Sequence, residues 1–173
     1  MNVKNNKRKK ESQMKIKNTF FELLKKKELN KIKVSEICQM AEINRSTCYV
    51  NYLDVFDLAD KIFAELSKEV ESLFDTSKQS SLDEKAFLSL LTHVKENKEI
   101  YGYYFALGYE NKKWTFTHFF VEQYASIEPN IDYRIEFFRG GFNAIIKKWI
   151  ENGCKETPEK MCEILCYEYR GRF

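Results

Sequence analysis

Proline and glycine are scarce in this sequence, which has two prolines and six glycines among 173 residues. These two residues interrupt helices most strongly, so their scarcity favours long helical segments. No window alternates cleanly between apolar and polar residues, the pattern expected of a half-buried strand. The sequence therefore predicts an all-α fold.

Long apolar runs are also missing. No stretch approaches the roughly 18 apolar residues that a membrane span needs. The N-terminus is polar and lacks the apolar central region of a signal peptide. We expect a cytoplasmic protein that is not embedded in a membrane.

Cysteine is present in an odd number, and most of the five cysteines fall on apolar helix faces. Without an export signal, reduced cysteines in the core are expected in preference to disulfides. Cys162 and Cys166 lie four residues apart, but neither His93 nor His118 has ligand spacing to them. We expect no metal site and no cofactor.

The usual arrangements of catalytic residues are missing as well. The sequence offers no nucleophile–base pair, no paired carboxylates and no phosphate-binding glycine loop. An enzyme is therefore disfavoured.

Charge is distributed unevenly along the chain. Residues 1–33 hold 12 Lys or Arg and 3 Glu, a net charge of +9, and the other 140 residues hold 17 basic and 23 acidic side chains, a net charge of −6, which gives the total of +3. A basic end on an acidic body indicates an anionic partner at that end. Nucleic acid and an anionic membrane surface both fit, and charge alone does not choose between them.

Two short helices are predicted over residues 34–40 and 44–51, joined by Ala41-Glu42-Ile43. Ala41 permits close approach at the turn, and Ile37 and Ile43 hold the pair together. Such a pair presents its second helix as a ridge that fits the major groove of DNA. Cys48 of this helix faces the core. The side chains suited to meet bases and phosphates are Arg45, Ser46, Thr47, Tyr49 and Asn51.

The run Ile43-Asn44-Arg45-Ser46-Thr47-Cys48-Tyr49-Val50-Asn51-Tyr52 resembles the recognition helix of the TetR (tetracycline-repressor) family, with its Thr-x-Tyr core. Val34-Ser35-Glu36-Ile37 and Asp57-Leu58 also match that family. The motifs are specific over about residues 16–66. Beyond them only the order of helices and the run Trp149-Ile150-Glu151-Asn152-Gly153-Cys154 match. The resemblance implies a dimeric repressor that binds double-stranded DNA at a near-palindromic operator.

The resemblance also implies a role for each matching residue. Arg45 would read guanine, assisted by Ser46, because the guanidinium fork pairs with the acceptors on that base. Thr47 and Tyr49 would donate hydrogen bonds to phosphates, which fixes orientation without reading sequence. The remaining predicted DNA-contacting residues lie at the ends of the two helices and are Lys33, Ser35, Asn44 and Asn51.

Three positions depart from the family pattern. Glu42 replaces the usual turn glycine, which costs roughly 1 kcal/mol if the backbone there is left-handed. Val55 replaces the lysine that opens the fourth helix, so one phosphate contact is expected to be missing. Lys33 replaces a threonine. The basic tail would compensate by reaching along the DNA backbone.

Three regions are expected: a disordered basic tail (1–10), a three-helix DNA-binding domain with the helix-turn-helix (11–53), and an effector-sensing and dimerisation domain (54–173). The eighth and ninth helices should form the homodimer interface, because their apolar stripes need a partner and Gly140-Gly141 allows close approach. The nine predicted helices span about residues 12–28, 34–40, 44–51, 54–74, 81–94, 98–107, 111–126, 132–152 and the segment from 157 onward. We expect Asn44 to cap the third helix and Gly153 to end the eighth. The apolar stripe predicted for the eighth helix consists of Ile135, Phe138, Phe142, Ile145 and Trp149.

Aromatic residues are abundant in the C-terminal part of the chain. They are consistent with ordinary core packing, or with a pocket for an apolar or aromatic small-molecule effector. A third possibility is that this domain docks a partner protein and senses no small molecule. The candidate ligand-binding residues are Tyr101, Tyr104, Trp114, His118, Tyr124 and Phe138.

Overall fold

The structure, a computed structural model, describes residues 3–74, 84–111 and 130–169. Every regular element in these ranges is helical, as the sequence predicts. The eight α-helices of the described ranges are α1 (Val3–Leu24), α2 (Val34–Met40), α3 (Arg45–Asn51), α4 (Val55–Leu73), α5 (Glu84–Glu96), α6 (Lys98–Ala106), α7 (Ile131–Glu151) and α8 (Pro158–Tyr169). Short 3₁₀ helices cover Leu29–Lys31 and Tyr109–Asn111. The predicted helix over residues 111–126 lies outside the described residues.

The first helix begins earlier than expected. It runs from Val3, so the segment up to Lys10 is helical where the sequence analysis expected a disordered tail. That segment is rich in lysine and asparagine, a composition typical of disorder. It contains no proline or glycine, however, and lysine and arginine are good helix formers. The helix therefore extends without interruption into the buried stripe of α1.

The chain divides into two compact units, Met1–Glu65 and Leu66–Phe173. The division falls inside α4, whereas the sequence analysis placed the boundary ahead of this helix, between residues 53 and 54. Apolar residues recur at helical spacing along α4, and Leu58, Ile62 and Leu66 are all buried. One uninterrupted helix therefore contributes core residues to both units.

The core of the first unit forms around the helix-turn-helix. Ile16, Phe20 and Leu23 of α1 are buried, as are Ile37 of α2 and Cys48 of α3. Helix α2 packs on both α1 and α3. Burying one such large apolar side chain stabilises the fold by about 1.5–3 kcal/mol.

Two of the cysteines correct the expectation of reduced thiols. Cys38 of α2 and Cys48 of α3 form a disulfide, whereas Cys154, Cys162 and Cys166 are not part of one. Both bridged residues face inward from neighbouring helices, so the tight packing of the pair brings their sulfur atoms together. The sequence places each cysteine on an apolar face but does not specify which two faces meet.

The second unit has its core between α5, α6, α7 and α8, with α5 packing on α8 and α6 on α7. Trp149 of α7 is fully buried, together with Tyr101 of α6 and Leu90 of α5. The buried stripe of α7 includes Ile146 rather than the expected Ile145, which is half-buried. In the described ranges, each helix falls short of the apolar length that a bilayer crossing requires.

The loop after α7 uses left-handed backbone. Gly153 has φ 78°, which matches its predicted role as the end of this helix, and Cys154 follows with φ 54°. The Cys154 amide donates to the Trp149 carbonyl at 2.9 Å, so the last turn of α7 is closed by the loop itself. Burial raises the pKa of the Cys154 thiol.

Candidate nucleic-acid interface

The turn between α2 and α3 positions the candidate recognition helix. Glu42 adopts φ 55°, the left-handed conformation on which the expected strain depended. The Ile43 amide then donates to the Cys38 carbonyl at 2.9 Å, which closes the end of α2. The chain leaves the turn extended at Asn44, with φ −60° and ψ 134°.

Asn44 caps α3, as predicted from the sequence. Its Oδ1 accepts hydrogen bonds from the Ser46 amide and from the Ser46 hydroxyl, both at 3.0 Å. The cap satisfies an amide that a helix start otherwise leaves without a partner, which is worth about 1 kcal/mol. The Asn44 side chain is therefore engaged inside the protein.

Helix α3 exposes most of its surface. Arg45, Ser46, Thr47 and Tyr49 are exposed, whereas Cys48 is buried. Within the described ranges the Arg45 guanidinium has no hydrogen-bond or ion-pair partner, so its donors face solvent. A seven-residue helix with one buried side chain offers its remaining faces to another molecule.

The other predicted contact residues flank this helix. Lys33 is exposed immediately before α2, and Ser35 and Asn51 are half-buried. The Asn51 amide nitrogen donates to the Thr47 carbonyl at 2.6 Å, so this group is also occupied within the protein. Of the residues at the helix ends, Lys33 remains the most available to a phosphate.

Lys61 of α4 was missed by the sequence analysis. Its Nζ donates to the Asn51 carbonyl at 2.7 Å and to Asp57 Oδ2 at 2.8 Å, and it lies 5.5 Å from the centre of the Tyr52 ring. Lys61 therefore fixes the C-terminal end of α3 to α4. The only signal in the sequence was its spacing of four residues from Asp57, which is the spacing of a helical ion pair.

The start of α4 is held by two carboxylates. Asp54 Oδ1 accepts from the amides of Phe56 and Asp57, both at 2.8 Å, and Asp57 Oδ2 accepts from the Leu53 amide at 2.9 Å. The bond from Lys61, followed by the Leu53 amide, lowers the pKa of Asp57. Val55 is buried between them, so the residue replacing the family's lysine contributes to the core instead of the surface.

An ion pair orients α2 relative to the end of α1. Lys27 Nζ lies 2.6 Å and 2.7 Å from the two carboxylate oxygens of Glu36. Both side chains are partly shielded from solvent, with exposures of 29% and 35%. The ion pair neutralises one of the three consecutive lysines at positions 25–27.

The second unit contains a cavity of about 240 Å³ whose lining is partly polar and partly apolar. One oxygen of Glu110, Oε2, is buried without a hydrogen-bond donor in the described part of the chain. The lining comes from the end of α6, the second 3₁₀ helix and α7, and consists of Phe105, Glu110, Asn111, Glu136, Arg139, Gly140, Asn143, Ala144 and Lys147.

The described aromatic candidates for ligand binding do not line this cavity. Tyr101, Tyr104 and Phe138 are buried in the core, where Tyr101 and Tyr104 meet with ring centroids 6.3 Å apart and Phe138 stacks on Phe142 at 5.8 Å. These three aromatic residues therefore contribute to core packing and not to the lining of this cavity. The other three candidates, Trp114, His118 and Tyr124, lie outside the described residues.

Solved structures with the same fold include transcription regulators. The chain matches the dihydroxyacetone kinase operon activator DhaS with a TM-score of 0.57 and 21% identity, covering 90% of this chain and 92% of that one. It matches a TetR transcriptional regulator from Streptococcus agalactiae 2603V with a TM-score of 0.64 and 19% identity, covering 95% and 96%. It matches the fatty acid degradation regulator FadR from Bacillus halodurans with a TM-score of 0.68 and 11% identity, covering 89% and 92%. At these identities the similarity shows the fold.

The sequence itself gives the family. A search of curated proteins finds no match. Residues 79–167, half of the chain, match a TetR family model described as "Transcriptional regulator C-terminal region". The chain therefore belongs to the TetR family of transcriptional regulators.

Proposed function

We propose that this regulator is a repressor that binds a near-palindromic operator as a dimer and leaves it when an effector binds the C-terminal unit. The observation that carries the proposal is the exposure of α3. Its polar side chains surround one inward residue, Cys48, and its two ends are fixed by the Asn44 cap and by Lys61. A rigid, exposed, polar helix of this kind suits the major groove.

Within this proposal, Arg45 and Ser46 read base edges, and Thr47, Tyr49 and Lys33 contact the phosphate backbone. The Ser46 hydroxyl donates to Asn44 Oδ1, so it would meet a base through its acceptor lone pairs. In the described ranges the Arg45 guanidinium makes no hydrogen bond or ion pair that DNA binding would have to break, so its donors are available to guanine. Asn44 and Asn51 support the helix instead, because their side chains already make hydrogen bonds within the protein.

A dimer would use the exposed face of α7. Tyr133, Phe137, Gly140 and Ala144 recur at helical spacing and are all exposed, on the side of α7 opposite its buried stripe. A Cβ added at Gly140 would meet nothing within 4 Å, so a second helix can approach closely there. The apolar stripe that the sequence analysis assigned to the dimer instead forms the core of the second unit.

The effector would bind in the second unit. The lining of the cavity between α6 and α7 includes charged and amide side chains, and the buried oxygen of Glu110 favours a ligand that carries a hydroxyl or ammonium donor. A thermal-shift screen of small polar molecules tests this part. If none stabilises the protein and a protein partner does, the C-terminal unit is a docking module.

The direction of control is tested separately. One structural relative is named as an operon activator, so activation is the second candidate for this chain. Deleting the gene should raise transcription from the bound promoter if the protein is a repressor. A fall in transcription would identify an activator.

DNA binding is tested by gel shift with duplexes from the region upstream of the gene and with duplexes selected from a random library. We expect a footprint with two-fold symmetry and two chains per duplex. The logarithm of affinity should fall linearly with the logarithm of salt concentration, because phosphate contacts release counterions. Equal binding to every duplex, or a footprint without symmetry, would contradict the proposal.

A further inference from the structure

Val50 is the most exposed large hydrophobic residue in the described part of the chain, at 84%. It lies one residue before the end of α3, on the candidate recognition helix. Its two polar neighbours, Tyr49 and Asn51, are less exposed to solvent than Val50. The Val50 side chain is not part of the core, and its apolar surface is open to contact with another molecule.

Helix geometry places Val50 at the outermost point of α3. Cys48 marks the inward direction, since it is 1% exposed and bonded to α2. At about 100° per residue, Ser46 and Val50 each lie about 160° around the helix from Cys48. Arg45 and Asn51 lie only about 60° from it by the same reckoning. The side chains that would enter a groove most deeply are therefore Ser46 and Val50.

The major groove offers one apolar group to such a side chain. All four bases present hydrogen-bonding atoms there, and thymine also presents its C5-methyl group. A valine has no polar atom to pair with the other bases. Its χ1 angle is also stiff, so contact with a methyl costs little conformational entropy.

We propose that Val50 is a specificity-determining residue that recognises a thymine methyl group in each half-site of the operator. The inference rests on the proposed function, and it names the base that the outermost position of α3 selects. Ser46, one turn earlier, lies beside Val50 on the same outer face, so the two positions read neighbouring bases.

The test replaces the thymines of a selected duplex by deoxyuridine, one symmetric pair at a time. Deoxyuridine removes the methyl group and keeps every hydrogen-bonding atom. The probe is a duplex selected from a random library by the wild-type protein, and binding is measured by fluorescence anisotropy. At one symmetric pair, wild-type affinity should fall by about fourfold per half-site, the factor expected for one buried methyl group.

The protein variants assign that loss to Val50. With Val50→Ala, uracil at the same pair should cause no further loss, because the partner of the methyl group is gone. Leu53→Ala is the matched control, since Leu53 is 80% exposed but lies beyond the end of α3. This variant should keep the wild-type sensitivity to uracil.

The outcomes separate the inference from the proposed function. If the wild type selects a duplex but no thymine is sensitive to uracil, or if Val50→Ala keeps the full sensitivity, the inference is wrong and the proposed function stands. Loss of the sensitivity in Leu53→Ala as well would also overturn it, because the effect would not be specific to Val50. If the wild type binds every duplex equally, the proposed function fails and the inference fails with it.

Discussion

Cys38 and Cys48 join α2 to α3 through a disulfide, with Cα atoms 6.6 Å apart and both side chains 1% exposed. The bridge spans a sequence separation of 10 residues, which contains the left-handed turn at Glu42. A crosslink of this kind reduces the conformational freedom of the unfolded chain, worth about 2–3 kcal/mol for so short a loop. Because Cys48 is the one buried residue of α3, the bridge ties this helix to the core.

We predict that reduction destabilises the N-terminal unit by about 2 kcal/mol. Urea unfolding with and without reductant measures the change. Cys166→Ala is the control variant, because it removes a cysteine that is not in the disulfide and leaves the bridge in place. Unfolded without reductant, the protein should show three reactive thiols, those of Cys154, Cys162 and Cys166. Five reactive thiols under that condition would show that the bridge is not formed.

Glu42→Gly should raise the free energy of unfolding by about 1 kcal/mol, because glycine adopts the left-handed conformation without strain. The residue has φ 55° and an exposed side chain, so the replacement leaves the core unchanged. Urea unfolding measures the gain. Glu42→Ala removes the same carboxylate but keeps the Cβ strain, and it should show no such gain. An equal gain in both variants would assign the effect to charge.

Much of the fold could be predicted because the helix caps and the apolar spacing in the sequence agree with the way the helices pack. The bounds of α2 and α3 match the predicted helices to within one residue, since Asn44 caps the second helix as expected. On α7 the predicted stripe differs at one position, where Ile146 is buried more deeply than Ile145. Neighbouring isoleucines lie about 100° apart on a helix, and contacts with other helices decide which one is covered.

The parts of the site that could not be predicted depend on contacts between helices. The disulfide forms because the inward faces of α2 and α3 meet, and Lys61 reaches the Asn51 carbonyl across the turn before α4. In the sequence, Cys38 and Cys48 cannot be distinguished from other core cysteines, and Lys61 cannot be distinguished from other exposed lysines. The presentation of α3 as a ridge and the inward position of Cys48 were both predicted from the sequence, whereas the exposure of Val50 depends on which neighbouring helices cover the end of α3.

Stability should fall above about pH 10 because of buried tyrosines. Burial, followed by the negative charge of Glu69, raises the pKa of Tyr101 above its ordinary value of 10.0. Below pH 10 the Tyr101 phenol is protonated in both the folded and the unfolded chain. Above it the unfolded chain releases the proton while the folded chain retains it, so the free energy of unfolding falls by up to about 1.4 kcal/mol per pH unit.

Urea unfolding between pH 9 and pH 11 measures this slope. Tyr101→Phe should make it less steep, although the variant also loses the 2.9 Å hydrogen bond with His93 and will be less stable at every pH. Tyr167→Phe is the matched control, because Tyr167 is 77% exposed and keeps its hydration in both the folded and the unfolded chain. If Tyr101→Phe leaves the slope unchanged, burial of this phenol does not govern the alkaline transition.

Arg45→Ala and Tyr49→Phe should weaken DNA binding in different ways. Loss of the Arg45 guanidinium should cost about 1–3 kcal/mol on the preferred duplex and relax the preference for guanine at one base pair per half-site. Loss of the Tyr49 hydroxyl should weaken binding to all duplexes by a similar factor, because a phosphate contact carries no sequence information. Both side chains are exposed, so neither substitution should affect folding.

Affinities for a panel of duplexes with single base-pair changes separate the two roles. In a base-reading role, Arg45→Ala loses affinity for the preferred duplex and little for duplexes already altered at the base that Arg45 reads, so the two changes are not additive. In a phosphate-contacting role it loses the same factor on every duplex, and the salt dependence becomes shallower. Uniform weakening by Arg45→Ala would therefore move this residue to the backbone contacts and leave Ser46 and Val50 as the base-reading positions of α3.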